Sequence, residues 1–141
     1  MEEGKMINKI SNRLRRRSKK AQETLGITGA KGNILNYILV ESEAHNVYQK
    51  EIEEEFGLRP STATEVLKHL EEENLIVRIP DEMDGRYKKI VFTDKAEKIR
   101  NALKSEIEDS AAVLLRGITR EVQETFMGIT KKMLENLEEK Q

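Results

Sequence analysis

Residues 47–93 read VYQKEIEEEFGLRPSTATEVLKHLEEENLIVRIPDEMDGRYKKIVFT, and the order of signals within them decides the fold. The first stretch, 48–56, places Ile52 and Phe56 four residues apart, with Glu51, Glu53, Glu54 and Glu55 left for solvent, which predicts a short helix. Gly57 ends it. After the tight turn Gly57-Leu58-Arg59, Pro60 stands where proline is best tolerated, in the first turn of a helix. That second helix runs to about Glu73, with Ala63, Val66, Leu67 and Leu70 on its buried side. Asn74 tolerates the left-handed backbone that closes a helix. Two strand-like runs follow, 75–79 and 88–93, joined by PDEMDGRY, in which Asp84-Gly85 is a turn pair. The block therefore predicts short helix, tight turn, second helix and β-hairpin with a long charged tip.

Outward from this block the signals are helical. Ile7, Ile10, Leu14, Ala21 and Leu25 form an apolar stripe over 5–25, and Gly26 suits the position just past its end. Lys5, Lys9, Arg13, Arg16 and Lys20 form a second, positive stripe, whose simplest reading is a solvated helix face, with contact to a phosphate backbone as the alternative. Thr28 is a plausible N-cap for a helix over 29–44 that carries Ile34, Leu35, Ile38 and Leu39 inward. Downstream, Asp94 and Glu97 have the spacing of a capping box. They open a helix over 94–116 with Ala96, Ile99, Leu103, Ile107, Ala111 and Leu114 in register, broken at Gly117. A last helix over 119–138 aligns Val122, Phe126, Ile129, Met133 and Leu137. The fold class is mainly α with a small β-hairpin.

Composition excludes several functions. The 141 residues suit one domain with a core of its own. The absence of cysteine removes disulfides, thiolate metal sites and thiol redox sensing, and two histidines, His45 and His69, make a zinc site improbable. No metal or cofactor is expected. The longest apolar run, near Ile34, is far too short to span a bilayer, and the N-terminal MEEGKMINKISNRLRRR lacks the apolar core of a secretion signal, so the expected location is cytoplasmic. Enzyme motifs are missing: there is no Gly-rich phosphate loop and no nucleophile elbow, and Glu53 and Glu55 sit on an exposed helix with nothing to raise a carboxyl pKa. The net charge is −1, so any nucleic-acid reading rests on local charge rather than on an overall basic balance.

The order in 47–93 is that of a winged helix-turn-helix. One short helix braces another so that the second projects an N-terminal end into a major groove, where base edges present a distinct donor and acceptor code. The projecting end carries Arg59, Pro60, Ser61, Thr62 and Thr64, with Lys68 one turn on. Hydroxyl side chains and free first-turn amides suit phosphates, and Arg59 suits bidentate recognition of guanine. The hairpin tip carries Arg86 with Lys88 and Lys89 beside it. An arginine on a thin loop fits a narrow minor groove, and Asp84, two residues earlier, is placed to orient it.

The resemblance to a known family now becomes specific. ITGAKGNILNYI resembles the start of the second helix of MarR-family regulators, FGLRPSTATEVLKHLEEENLIVR their recognition helix running into the wing, DGRYKKIVFT their Asp-x-Arg wing signature, and RGITREVQETFMGITKKMLENL their C-terminal dimerisation helix. The four pieces occur in the family's order and spacing over about 5–138. The resemblance implies a single domain over 1–141 in which 28–93 binds DNA while 5–25 and 94–138 build a homodimer. It implies a fourth helix in the major groove, Arg86 in the minor groove, and an effector of the small aromatic or phenolic kind. Glu65, Asn74, Phe92 and Ala96 depart from the family pattern, and of these only Glu65 touches function, since a carboxylate there opposes phosphates.

The apolar stripes of the terminal helices cannot all face one small core, which independently predicts a homodimer. The expected function is a DNA-binding regulator, in the family's commoner mode a repressor, acting on a pseudo-palindromic operator. The alternative is a winged-helix module that binds protein and not DNA. Tyr37 is read as a core tyrosine, His45 and Tyr48 as loop packing, and His69 as solvent-facing.

Overall fold

A computed structural model describes residues 1–27 and 29–138. The elements are α1 (Glu2–Thr24), α2 (Ala30–Glu41), α3 (Gln49–Phe56), α4 (Pro60–Glu72), β1 (Ile76–Pro80), β2 (Lys88–Phe92), α5 (Glu97–Leu114) and α6 (Arg120–Glu138), with a 3-10 turn at Asp94–Ala96 before α5. The chain falls into two units, Met1–Ile107 and Glu108–Gln141.

The first unit holds the core. Ile34, Leu35, Ile38 and Leu39 of α2, Ile52 of α3, Leu67 and Leu70 of α4, Ile76 and Ile90 of the hairpin and Leu103 of α5 are all buried in one cluster. Burying several large aliphatic side chains of this kind, each worth about 1.5–3 kcal/mol, is what holds short helices that would be marginal alone. The approach of α1 to α2 depends on Gly32: a Cβ there would lie 2.1 Å from the Oε1 of buried Gln22. Gly57, at φ 62°, and Asn74, at φ 61°, take the left-handed turns that end α3 and follow α4.

The hairpin pairs β1 and β2 antiparallel, from Ile76 opposite Phe92 to Pro80 opposite Lys88. Alternation puts Ile76, Arg78 and Ile90 on the core side, while Val77 and Ile79 face out. Proline at the end of β1 costs no ladder bond. The free edge of β2 is taken up by the segment before α3, where the Ile90 N–H donates to the Val47 carbonyl at 2.8 Å.

Several local expectations are corrected. Helix α1 begins at Glu2 rather than 5, and α2 ends at Glu41, with turns over 42–44. The N-cap expected at Thr28 lies outside the described residues; the residue before α2 is Gly29. The Asp94/Glu97 capping box does not form. The Thr93 hydroxyl accepts from the Ala96 N–H at 3.2 Å, so the chain enters α5 through a 3-10 turn. Phe56 is exposed rather than inward, its ring edge-on to Tyr37 at 5.6 Å. Glu51, expected outward, is half-buried, because its carboxylate accepts the Tyr48 N–H at 2.8 Å and the Tyr37 hydroxyl at 2.9 Å.

In the second unit, α6 buries none of its described residues. Val122, Phe126, Ile129 and Met133, four apolar side chains on one stripe, remain 37–55% exposed within the chain. On α1, Met6, Ile7 and Ile10 are likewise exposed, while Leu14, Ala21 and Leu25 are half-buried.

Candidate nucleic-acid interface

Helix α4 starts from an extended Arg59 (φ −69°, ψ 148°), with Pro60 fixing the first helical φ. No described side chain caps this start, so the first-turn amides of Ser61 and Thr62 keep free donors at the positive end of the helix dipole. Arg59, Pro60, Ser61, Thr62, Thr64 and Lys68 are all exposed, whereas Ala63, Leu67 and Leu70 hold the opposite side of the helix in the core. Three-and-four spacing thus divides α4 into an anchored face and a presented face. Glu65 is on the presented side, 4.0 Å from His69, which is also exposed.

The sequence did not single out Gln49 or Arg78, and the structure places both against this helix. The Gln49 side chain donates to the Thr64 hydroxyl at 2.9 Å and to Glu53 at 3.0 Å. Its carbonyl accepts from Arg78 Nη1 at 3.1 Å. Arg78 in turn donates from Nε and Nη2 to Glu71 of α4, at 3.0 and 2.6 Å. One amide and one guanidinium therefore bind α3, α4 and the base of the hairpin together. The available signal was register: period-two alternation with Ile76 points Arg78 toward the core side, where a charge needs partners.

At the hairpin tip, Asp84 accepts from Arg86 Nε at 3.0 Å, from Nη2 at 2.7 Å and from the Arg86 backbone N–H at 3.1 Å. These bonds hold the Asp84 carboxyl below the usual carboxylate range. None of them uses Nη1 of Arg86, whose side chain remains 84% exposed and lies over the Tyr87 ring at 6.0 Å. Lys88 is exposed and Lys89 half-buried. Asp81, also unremarked in the sequence, organises the tip. Its Oδ2 accepts the Met83 and Asp84 N–H groups at 3.0 and 3.1 Å, and its Oδ1 accepts the Tyr48 hydroxyl at 2.6 Å.

The fold that carries this helix, its bracing helix and the hairpin is shared with known proteins. A sequence profile of the MarR family matches residues 25–86. The HTH-type transcriptional regulator YybA of Bacillus subtilis (strain 168), itself uncharacterised, is 30% identical over 102 residues, covering 72% of this chain and 68% of that protein. The chain belongs to the MarR family. It is accordingly a transcription regulator and not an enzyme. Among solved structures, the MarR regulator of Oenococcus oeni PSU-1 superposes with a TM-score of 0.73 at 26% identity, over 94% of this chain and 98% of that one. The S. aureus MepR–DNA complex gives a TM-score of 0.67 at 25% identity, over 94% and 96%.

Elsewhere on this MarR-family chain, Tyr37 is half-buried and its hydroxyl is pinned on Glu51; burial, then that bond, raises its pKa. His45 is exposed. Its Nδ1 lies 2.9 Å from the Asn46 carbonyl and its Nε2 3.0 Å from Glu41, and these contacts raise its pKa, the carbonyl bond most. No group of three metal-ligating side chains occurs among the described residues, and no helix there is long and apolar enough to cross a membrane.

Proposed function

We propose that the chain binds operator DNA as a homodimer and represses transcription, with α4 reading the major groove and Arg86 entering the minor groove. The observation that carries this is the start of α4, which no side chain caps and on which Arg59, Ser61, Thr62 and Thr64 are exposed. Amide donors and hydroxyls there suit phosphate oxygens, Arg59 suits a guanine edge, and Lys68 extends the positive contact. Lys88 adds a backbone contact beside Arg86, and Asp84 orients the arginine. That MepR, which shares this fold, was solved as a complex with DNA supports DNA as the partner.

The dimer is supported by α6, whose stripe of Val122, Phe126, Ile129 and Met133 is an apolar surface of the kind that marks an interface. A two-fold dimer sets two α4 helices about one helical turn (~34 Å) apart, so the operator is a pseudo-palindrome. An effector, of the small aromatic kind, would release DNA by favouring a dimer with the wrong spacing. An open groove of about 500 Å3, lined by Leu39, Phe92, Thr93, Glu97 and Arg100 among others where β2 passes into α5, is large enough for such a ligand.

The protein-binding alternative draws on Glu65, whose side chain is 75% exposed on the presented face of α4. Arg59→Ala tests the assigned base contact of the DNA reading. The DNA reader loses about 1–3 kcal/mol of affinity, and its base preference relaxes at one position in each half-site. Binding to a panel of single-base operator variants measures both. An unchanged preference profile removes Arg59 from the readout.

A further inference from the structure

The tip of the hairpin is not held by the hairpin alone. The connection from Pro80 to Lys88 is longer than the two to five residues of an ordinary hairpin loop, and a loop of that length has many conformations of its own. Here it is tied to α3. Tyr48 immediately precedes α3, fixed there by its N–H bond to Glu51. Its hydroxyl reaches across to Asp81, whose second oxygen collects the Met83 and Asp84 amides. Two backbone bonds close the same turn: Asp81 N–H to the Tyr87 carbonyl at 2.8 Å, and Tyr87 N–H to the Asp84 carbonyl at 3.1 Å. The Tyr48 ring also meets the Tyr87 ring edge-on at 6.5 Å. From Asp84 the path continues to Arg86 through the paired bonds already described.

We infer that Tyr48 and Asp81 are positioning residues for the wing: together they hold Arg86 in its groove-entering pose before DNA arrives. This rests on the reading that Arg86 contacts DNA. The physical reason is preorganisation. An arginine on a mobile loop must give up backbone and rotamer freedom on binding, at about 0.5–1.5 kcal/mol for the side chain alone, whereas a tip already fixed from α3 has lost it during folding. The Tyr48–Asp81 bond is suited to the task because its acceptor is charged and its donor stands beside a rigid helix, and such bonds are stronger than neutral ones. The downward shift of the Asp81 carboxyl, caused first by the Tyr48 hydroxyl, agrees with a strong bond. Arg86 need not break its pairing with Asp84 to act, because Nη1 is outside that pairing.

The test is a double-mutant cycle on the full chain. Wild type, Tyr48→Phe, Arg86→Ala and the double variant are titrated against a duplex selected by the wild-type protein from a random-sequence pool. Arg86→Ala is expected to weaken binding about tenfold, and Tyr48→Phe, which removes one oxygen, about fivefold. The double variant is expected to bind no worse than Arg86→Ala alone, because the strut has nothing left to position. A hydroxyl that merely stabilises the fold would give losses that multiply. Amide exchange at Met83 and Asp84 is expected to quicken in Tyr48→Phe while exchange in α2 is unchanged. Asp81→Asn is a second probe and should show the same non-additivity with Arg86→Ala. If Tyr48→Phe binds like wild type, or its loss multiplies with that of Arg86→Ala, the inference is wrong and the wing reading stands. If Arg86→Ala itself binds like wild type, the wing reading is wrong and the inference falls with it.

Discussion

A chain carrying Phe126→Glu and Ile129→Glu is expected to sediment as a monomer and to lose roughly a thousandfold in operator affinity, falling toward non-specific binding. Both side chains lie on the apolar stripe of α6 and about half of each is open to solvent within one chain. In the proposed dimer they are covered, and a carboxylate in a covered apolar seam is costly unless it finds a partner. The loss of DNA affinity follows from geometry: two half-sites held by one dimer reinforce each other through effective concentration, and separate monomers have no such coupling. The helix itself should survive, since glutamate is a good helix former. Analytical ultracentrifugation with a DNA titration on the same sample checks both parts. A dimer that persists with intact binding would take α6 out of the interface.

The second large effect is on stability. Leu67→Ala is expected to lower the unfolding free energy by about 2–5 kcal/mol, a large fraction of what such a domain has. Leu67 is completely buried and belongs to the cluster that joins α2, α3, α4 and the hairpin. It is also the anchor opposite the presented face of α4, so the cavity left by alanine loosens the support of Thr64 and Lys68. Urea denaturation at fixed protein concentration, with the denaturant slope unchanged, measures the loss. A loss below about 1 kcal/mol would mean that the core collapses around the site, or that α4 is held by other contacts.

Much of this was legible from residue order. Gly57, Pro60, Asn74 and Asp84-Gly85 are punctuation with local causes, so the boundaries of α3, α4 and the hairpin follow from the sequence to within a residue or two. The buried side of α4 followed from spacing alone. What stayed hidden was long-range pairing of polar side chains. Glu51 looked like one of four surface glutamates, and only the fold brings Tyr37 onto it. Tyr48 and Asp81 are 33 residues apart, and no periodicity links a helix start to a hairpin tip. Arg78 was overlooked for a different reason: its register was readable, but Glu71 and Gln49 as partners were not. The cap at Thr93 was missed because the second strand was read through that residue, and which of two neighbouring cap-forming residues serves depends on where the strand ends.

The central claim is that residues 59–68 and the wing meet DNA as a two-fold pair. Its most direct test is a salt titration of the wild-type protein on two duplexes, a selected pseudo-palindrome and a scrambled sequence of the same composition. The account predicts a log–log slope of roughly −5 or steeper on the palindrome, as expected when several phosphates are neutralised at once. It also predicts at least about a thousandfold preference for the palindrome at physiological salt. A flat salt dependence with equal affinity for both duplexes would contradict it.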